Sequence, residues 1–254
     1  MGDIMMIDTH CHLDEYSLEE LEKVITKMQD NIIIVSGTND KTNLDVIKFV
    51  NKYKNVYGVI GIHPEYVNEV TEKSFEIIEK NINNPKIVGI GEVGLDYYWI
   101  KDNKKEQLEI FIKQIKLANK YNKTLVIHSR EAISDTYNIL KQYLKTKAVL
   151  HCYSSSLEMA NKFIDLGIKL GIGGVVTFKN SKQIKEIVEN IDLKHLLLET
   201  DSPYLTPEPN RGKKNEPYNS IYVASKIAEI KKISLDEVLE VTTTNAISQF
   251  DLML

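Results

Sequence analysis

The sequence predicts an α/β protein in which eight parallel strands close into a (β/α)₈ TIM barrel. Short apolar runs alternate with longer amphipathic segments from end to end. Several of these runs are continuously hydrophobic, as in a parallel sheet that is covered on both faces. Polar residues follow the runs throughout the chain, and a closed barrel brings such strand ends to one mouth, whereas an open doubly wound sheet, the rival fold, scatters them. We therefore expect one barrel domain over residues 1–254.

The individual elements follow from hydrophobic periodicity and from capping signals. The predicted strands span residues 4–8, 32–36, 56–62, 87–92, 124–128, 148–151, 168–173 and 196–200. The predicted helices span residues 17–29, 43–54, 72–81, 104–121, 134–144, 157–166, 182–190, 220–230 and 234–249. Ser17 and Glu20 form the capping-box pattern at the start of the first helix. The segment 202–219 is rich in Pro, Lys and Glu, so we expect it to be a loop over the barrel mouth.

The amino-acid composition argues against several classes of protein. The chain has 254 residues, 43% of them apolar, and a net charge of −4, which argues against binding nucleic acid by bulk electrostatics. No apolar run approaches the roughly 18–20 residues of a membrane span, and no secretory signal is recognisable, so we expect a cytoplasmic protein without a membrane partner. Cys11 and Cys152 are too few for a disulfide framework, and we expect both to pack in the core, facing away from the histidines beside them. The oligomeric state stays open, and a monomer is compatible with the sequence.

Two histidines follow the first apolar run. Side chains alternate along a strand, so those of His10 and His12 point the same way and can converge on one point. Two converging imidazoles form half of a divalent-metal site. The alternative is a pair of histidines in a solvated loop, and the other strand ends argue against it.

Further candidate metal ligands end the later strands, with Glu92 after the fourth, His128 and His151 after the fifth and sixth, and Asp201 after the eighth; His63, after the third strand, is a further polar group at the same end. A carboxylate between two metal positions can bridge them, and cations about 3.5–4 Å apart can hold the attacking and leaving oxygens of a displacement. Glu92 is placed to bridge, and Asp201 to bind one metal and take a proton from the attacking water. Imidazole and carboxylate ligands without thiolate suit Zn²⁺, Mn²⁺ or Mg²⁺.

These motifs resemble the TatD family of metal-dependent hydrolases, usually described as deoxyribonucleases of the amidohydrolase superfamily. The matching strings run from Asp8-Thr9-His10-Cys11-His12 to Thr243-Thr244-Asn245-Ala246. One departure is Ser155, where the family often has Gly. The resemblance implies that one metal is held by His10, His12, Glu92 and Asp201, and a second by Glu92, His128 and His151. It also implies that His63 contacts the scissile phosphate or the leaving group.

Other residues are candidates for substrate binding. Arg130 and Arg211 can each meet phosphate oxygens through a bidentate fork. Lys213 and Lys214 fit either phosphate contacts or an ordinary solvated loop. The aromatic run 97–99 can stack on an unpaired base or can pack between helix and barrel.

Taken together, the residues and the resemblance predict a hydrolase that cleaves phosphodiester bonds in DNA with two divalent ions, with Asp201, Glu92 and His63 as its catalytic groups. Single-stranded DNA or transfer RNA are alternative partners, because some relatives remove D-amino acids from transfer RNA. An amidohydrolase acting on a lactone, cyclic amide or phosphotriester is a wider alternative, although such barrels often bridge their metals with a carboxylated lysine. A binding module with a structural metal is a third, but structural sites tend to be closed and thiolate-rich. His195 lies at the opposite barrel end and is expected to be structural.

Overall fold

The computed structural model describes residues 4–99 and 102–254; residues 1–3 and 100–101 of the predicted domain lie outside the described residues. Within these ranges eight strands form one sheet in chain order, and each neighbouring pair is parallel. The strands are β1 (Ile7–Cys11), β2 (Ile32–Ser36), β3 (Val56–Ile60), β4 (Ile87–Asp96), β5 (Thr124–Arg130), β6 (Ala148–Leu150), β7 (Lys169–Ile172) and β8 (Leu196–Leu198). The predicted (β/α)₈ barrel is confirmed.

Helices connect the strands and cover the outside of the barrel. They are α1 (Leu18–Lys27), α2 (Asp40–Lys52), α3 (Glu72–Asn81), α4 (Lys104–Tyr121), α5 (Ile133–Tyr143), α6 (Leu157–Asp165), α7 (Lys182–Asn190), α8 (Ser220–Lys231) and α9 (Leu235–Phe250). The predicted capping box at α1 is present, because Glu20 N–H donates to Ser17 Oγ and Ser17 N–H donates to Glu20 Oε2. None of the helices described here is both long enough and apolar enough to cross a bilayer.

In the described residues β1 is joined to β8 and the residues after it by side-chain hydrogen bonds and by an isolated parallel bridge between Cys11 and Ser202, in place of a regular strand ladder. Thr9 Oγ1 donates to the Leu198 carbonyl at 2.9 Å. The fully buried Asp8 accepts Thr200 N–H at 3.0 Å through Oδ1 and the Thr200 hydroxyl at 2.6 Å through Oδ2. Burial raises the pKa of Asp8 well above its usual value, and these hydrogen bonds only partly offset the effect. These hydrogen bonds between β1 and the end of β8 therefore fix the two strands that lead to His10 and Asp201.

Helix α9 closes the N-terminal end of the barrel. Its residues Ala246 and Phe250, together with Leu252, pack in one buried cluster with apolar side chains from the strands, among them Ile34 and Val59. The Asn245 amide donates at 2.9 Å to the carbonyls of both Leu193 and Leu196, where the chain enters β8. This end is therefore sealed by apolar packing and by a buried amide, and the opposite end stays open.

Replacing Asn245 with alanine is expected to lower the free energy of unfolding by about 2 kcal/mol, because two buried carbonyls lose their donor. The measurement is the urea midpoint of both proteins by circular dichroism. The adjacent, exposed Thr244 supplies the control, since Thr244→Ala should change stability by no more than about 0.5 kcal/mol. Equal effects of the two substitutions would contradict this role of Asn245.

Candidate active site

Two strands carry irregularities at the residues that face the barrel mouth. The pairing register of β1 with β2 shifts between Asp8 and Cys11, and that of β4 with β5 shifts between Ile90 and Val93. Such bulges re-aim side chains and often lie next to active sites. His10 and Glu92 sit inside these shifts, so simple alternation along the strand does not fully set their directions.

Glu92 is the centre of the site and is 3% exposed. Its Oε2 lies 3.3 Å from His10 Nε2 and 3.5 Å from His12 Nε2. Its Oε1 lies 2.8 Å from His151 Nε2 and 3.0 Å from His128 Nδ1. The two oxygens of one carboxylate therefore face two different pairs of imidazoles.

Asp201 reaches the same centre from the loop after β8. Its Oδ1 lies 3.4 Å from His12 Nε2 and 3.6 Å from His10 Nε2. Its backbone has a left-handed φ of 53° and is held by a 2.9 Å hydrogen bond from Asp201 N–H to the His10 carbonyl. Asp201 thus completes the set of groups on the β1 side.

Among the residues that the structure describes, three overlapping trios have ligand atoms within 4.8 Å of one another and could hold a metal ion. They are His10, His12 and Glu92; His10, His151 and Asp201; and His63, Glu92 and His128. All six sequence-predicted ligands and His63 are brought together, which fits a cation in chemistry and in spacing.

Hydrogen bonds on the far side of the ring orient the imidazoles of His10, His12 and His128. His12 Nδ1 lies 3.2 Å from the Ser36 carbonyl, which can only accept, so Nε2 keeps its lone pair for a cation. His128 Nε2 lies 2.9 Å from Asp96 Oδ2, which leaves Nδ1 as its free nitrogen. His10 Nδ1 lies 3.1 Å from the Ser36 hydroxyl. These outer contacts are typical of metal-binding histidines.

His63 differs from these rings, because its outer nitrogen accepts a hydrogen bond. Its Nδ1 accepts the Glu65 N–H at 3.3 Å, so in the neutral ring the proton is on Nε2. That Nε2 points inward and lies 3.5 Å from Glu92 Oε1. His63 therefore presents a proton to the centre, whereas the outer contacts of His12 and His128 leave their inner nitrogens for a cation.

The electrostatics of the site divide the histidines into two groups. Burial, assisted by neighbouring histidines, lowers the pKa of His10 to about 4 and that of His63 to about 3. Burial opposes ionisation of Glu92, but the charges of His151, His10 and His63 outweigh it and hold the pKa of Glu92 well below its usual value. Glu92 is therefore ionised and is available to a cation.

The other three rings are drawn toward the charged form by carboxylates. Burial opposes charge on His151, but the charge of Glu92 raises its pKa. Burial disfavours charge on His12, but the hydrogen bond with Asp201 and the charge of Glu92 raise its pKa to about 9. Burial likewise opposes charge on His128, and hydrogen bonds with Asp96 and Glu92 raise its pKa to about 9. A field that holds protons on imidazoles also attracts a metal cation, whose binding then releases those protons.

A cavity of about 700 Å³ opens from this centre at the carboxyl ends of the strands. The predicted aromatic run divides there: Tyr97 is buried and donates to Asp135 at 2.8 Å, whereas Tyr98 and Trp99 are 42% and 61% exposed. The Arg130 guanidinium lies 3.9 Å from the ring centre of Tyr98 and 5.2 Å from that of Trp99. Arg130 and Trp99 both line the cavity.

The basic cluster of the loop at 202–219 lies elsewhere. Arg211 stacks 3.9 Å over the Phe178 ring and donates to the Thr206 carbonyl at 3.3 Å, and it is not among the described residues that line the cavity. Lys214 pairs with Glu20 at 3.0 Å, so this lysine ties the loop to α1. The structure thus brings Arg130, but not Arg211, to the site.

One prediction about the cysteines is wrong. Cys11 is fully buried in the core, as expected, but Cys152 is half-buried and lines the cavity beside His151. Strand β6 already ends at Leu150, and Cys152 has a left-handed φ of 45°. Alternation along a strand therefore does not apply to this pair.

Sequence reasoning assigned no role to Asp96, Ser36 or Glu199. Asp96 follows Glu92 at the even spacing that puts both on one face of a strand, so the pattern contained a usable signal for it. Glu199 is fully buried, and burial raises its pKa to about 7 even though it lies near the charge of His151. Ser36 lies on another strand from its partners, and nothing in the local sequence indicates its role.

The chain matches the model of the TatD related DNase family over residues 7–251. It is 39% identical over 248 residues to the metal-dependent hydrolase YabD of Bacillus subtilis, covering 95% of this chain and 97% of that protein. It is 34% identical over 255 residues to the metal-dependent hydrolase YcfH of Escherichia coli K12, covering 95% and 94%. The crystal structure of YJJV, a TatD homologue from Escherichia coli K12, aligns with a TM-score of 0.90 at 28% identity over 98% of both chains. Because the family model and these relatives match nearly the whole chain, the chain belongs to the TatD family of metal-dependent hydrolases.

Proposed function

We propose that this chain hydrolyses phosphodiester bonds in DNA with a pair of divalent cations that share Glu92. The observation that carries the proposal is the division of the Glu92 carboxylate, with Oε2 toward His10 and His12 and Oε1 toward His128 and His151. A carboxylate can bridge two cations when each of its oxygens faces a separate pair of imidazole nitrogens.

The residues that would hold the cations fall into two sets around Glu92. The first set is His10, His12, Glu92 and Asp201, and the second is Glu92, His128 and His151. Two divalent cations bound there would supply Lewis acidity for the phosphoryl oxygens and would lower the pKa of a coordinated water. Zn²⁺, Mn²⁺ and Mg²⁺ all suit this mixture of imidazole and carboxylate ligands.

Other side chains around the centre supply the base, the proton donor and a contact for phosphate. Asp201 is the general base: its pKa stays below the usual value despite burial, because His12 and His10 stabilise the carboxylate. His63 directs its Nε2 proton to the centre, where it can bond a phosphate oxygen or the leaving oxygen. Arg130 is the cationic side chain that the cavity rim offers to a neighbouring phosphate.

The rim supports a nucleic-acid substrate in a second way. Trp99 and Tyr98 are exposed beside Arg130, and aromatic rings next to a cation bind bases by stacking and phosphates by charge. The predicted single-domain organisation over residues 1–254 and the cytoplasmic location remain predictions, and the oligomeric state stays open.

One observation favours a second candidate, hydrolysis of a D-aminoacyl ester on transfer RNA. Asp14 and Glu15 line the same cavity on the side of Tyr204. Carboxylates at the mouth repel a polyanion but match the ammonium group of an aminoacyl ester. The attack would then be on an acyl carbon, with Asp201 as base in both cases.

A chelator experiment tests the proposal. Purified protein is incubated with single-stranded and duplex DNA, with EDTA or with added Mn²⁺, Mg²⁺ or Zn²⁺, and D-aminoacyl transfer RNA is run in parallel. We expect nucleotide release from DNA that EDTA abolishes and that divalent ions restore. Metal-dependent release of D-amino acid with intact DNA would favour the second candidate, and DNA cleavage that EDTA does not affect would contradict both.

A further inference from the structure

Each metal-facing histidine needs a partner for the nitrogen that does not face the centre. Ser36 serves both His10 and His12, and Asp96 serves His128. His151 is different: its Nδ1 is buried and has no hydrogen-bond partner among the described residues. The group that it faces is the carboxylate of Glu199, whose Oε1 lies 3.9 Å away.

Glu199 is fixed in this position. Its Oε1 accepts the backbone N–H of Cys152, the residue directly after His151, at 2.5 Å. Its Oε2 also has no hydrogen-bond partner among the described residues and lies against Gly171. A Cβ on Gly171 would come within 2.1 Å of that oxygen, so only glycine leaves room for the carboxylate on β7.

We infer that Glu199 is a positioning residue for His151: its carboxylate accepts the Nδ1 proton and so keeps the Nε2 lone pair directed at a divalent cation. The 3.9 Å between Nδ1 and Oε1 is longer than a hydrogen bond, so the inference includes a rotation of the imidazole toward Glu199. A carboxylate behind a metal-binding histidine fixes the tautomer and raises the basicity of the ligand. Glu199 therefore does for His151 what Asp96 does for His128. This inference rests on the proposed function, because it assumes that the site binds divalent cations.

The first test is zinc binding by Glu199→Gln, measured by calorimetry on metal-free protein. Glutamine can still accept the Cys152 N–H, so the backbone anchor is kept and the negative charge is lost. We expect zinc affinity at the site that contains His151 to fall about 10- to 100-fold, with the other site changing less. Glu79→Gln is the control, because it makes the same substitution at an exposed carboxylate of α3 that pairs with Lys120, and its zinc affinity should stay within about threefold of wild type.

The second readout is the tautomer itself, observed by ¹H–¹⁵N NMR of the imidazoles in the zinc-loaded protein. Wild type should show a strongly hydrogen-bonded His151 Nδ1–H, and in Glu199→Gln this proton should shift toward the position of a weaker hydrogen bond. If Glu199→Gln does not fold, Glu199→Asp keeps the charge but withdraws the carboxylate by one methylene, and it should weaken zinc in the same sense.

The outcomes separate this inference from the proposed function. Unchanged zinc affinity together with an unchanged Nδ1–H signal in Glu199→Gln would overturn the positioning role while leaving the metal site intact. A wild-type protein that binds no zinc, manganese or magnesium would overturn the proposed function and this inference with it.

Discussion

Replacing Glu92 with glutamine is expected to reduce kcat at least about 10³-fold and to leave fewer than two divalent cations bound. Glutamine preserves the shape of the side chain, but it offers one oxygen instead of two and carries no charge. In the wild type, Oε2 faces His10 and Oε1 faces His151 within 3.3 Å. The substituted side chain can therefore serve only one of the two sets.

Metal analysis of the purified variant and steady-state kinetics with a DNA substrate measure the two effects together. Glu79→Gln again provides the control, since it makes the same substitution at an exposed carboxylate of α3 that pairs with Lys120 on the outside of the barrel. Its turnover should stay within about fivefold of wild type. A Glu92→Gln protein that keeps both cations and normal turnover would remove the basis of the proposed bridge.

The sequence predicted the helices more accurately than the strand ends. The bounds of α3, α4 and α7 agree with the predicted 72–81, 104–121 and 182–190, because amphipathic periodicity is a local property of the chain. Strand ends depend on the neighbouring strand: β4 continues to Asp96 because β5 pairs with it as far as Arg130. The prediction ended that strand at Glu92, where the local hydrophobic run stops.

The candidate site shows the same division between local and non-local information. Alternation predicted that His10 and His12 converge, and their Nε2 atoms do lie 3.3 Å apart even though His10 lies within a register shift of β1. The partners behind the rings come from other strands, so Ser36 for His12 and Glu199 for His151 depend on which strands are adjacent. A strand pattern in one sequence indicates which residues face the mouth, but contacts between strands decide what lies behind them.

Replacing Asp201 with asparagine is expected to reduce kcat by about 10²- to 10⁴-fold at saturating divalent cation, while the fold is kept. In the wild type the Asp201 carboxylate lies 3.4 Å from His12 Nε2. Asparagine retains an oxygen that can face this nitrogen, but it cannot accept a proton from an attacking water. The residue has a left-handed φ of 53°, a conformation that asparagine tolerates as readily as aspartate. The change therefore removes the base and adds no backbone strain, which Asp201→Ala would not achieve.

The chain supplies a control at matched backbone conformation. Asp251 ends α9 with a φ of 49°, pairs with Lys147 at 2.6 Å and is exposed at the other end of the barrel. Asp251→Asn should leave kcat within about twofold of wild type, because it makes the same substitution without touching the centre. Kinetics, metal analysis and thermal melting of both variants then separate a lost base from a disturbed fold. Full turnover in metal-loaded Asp201→Asn would exclude Asp201 as the base, and the proton would have to go to another group at the centre.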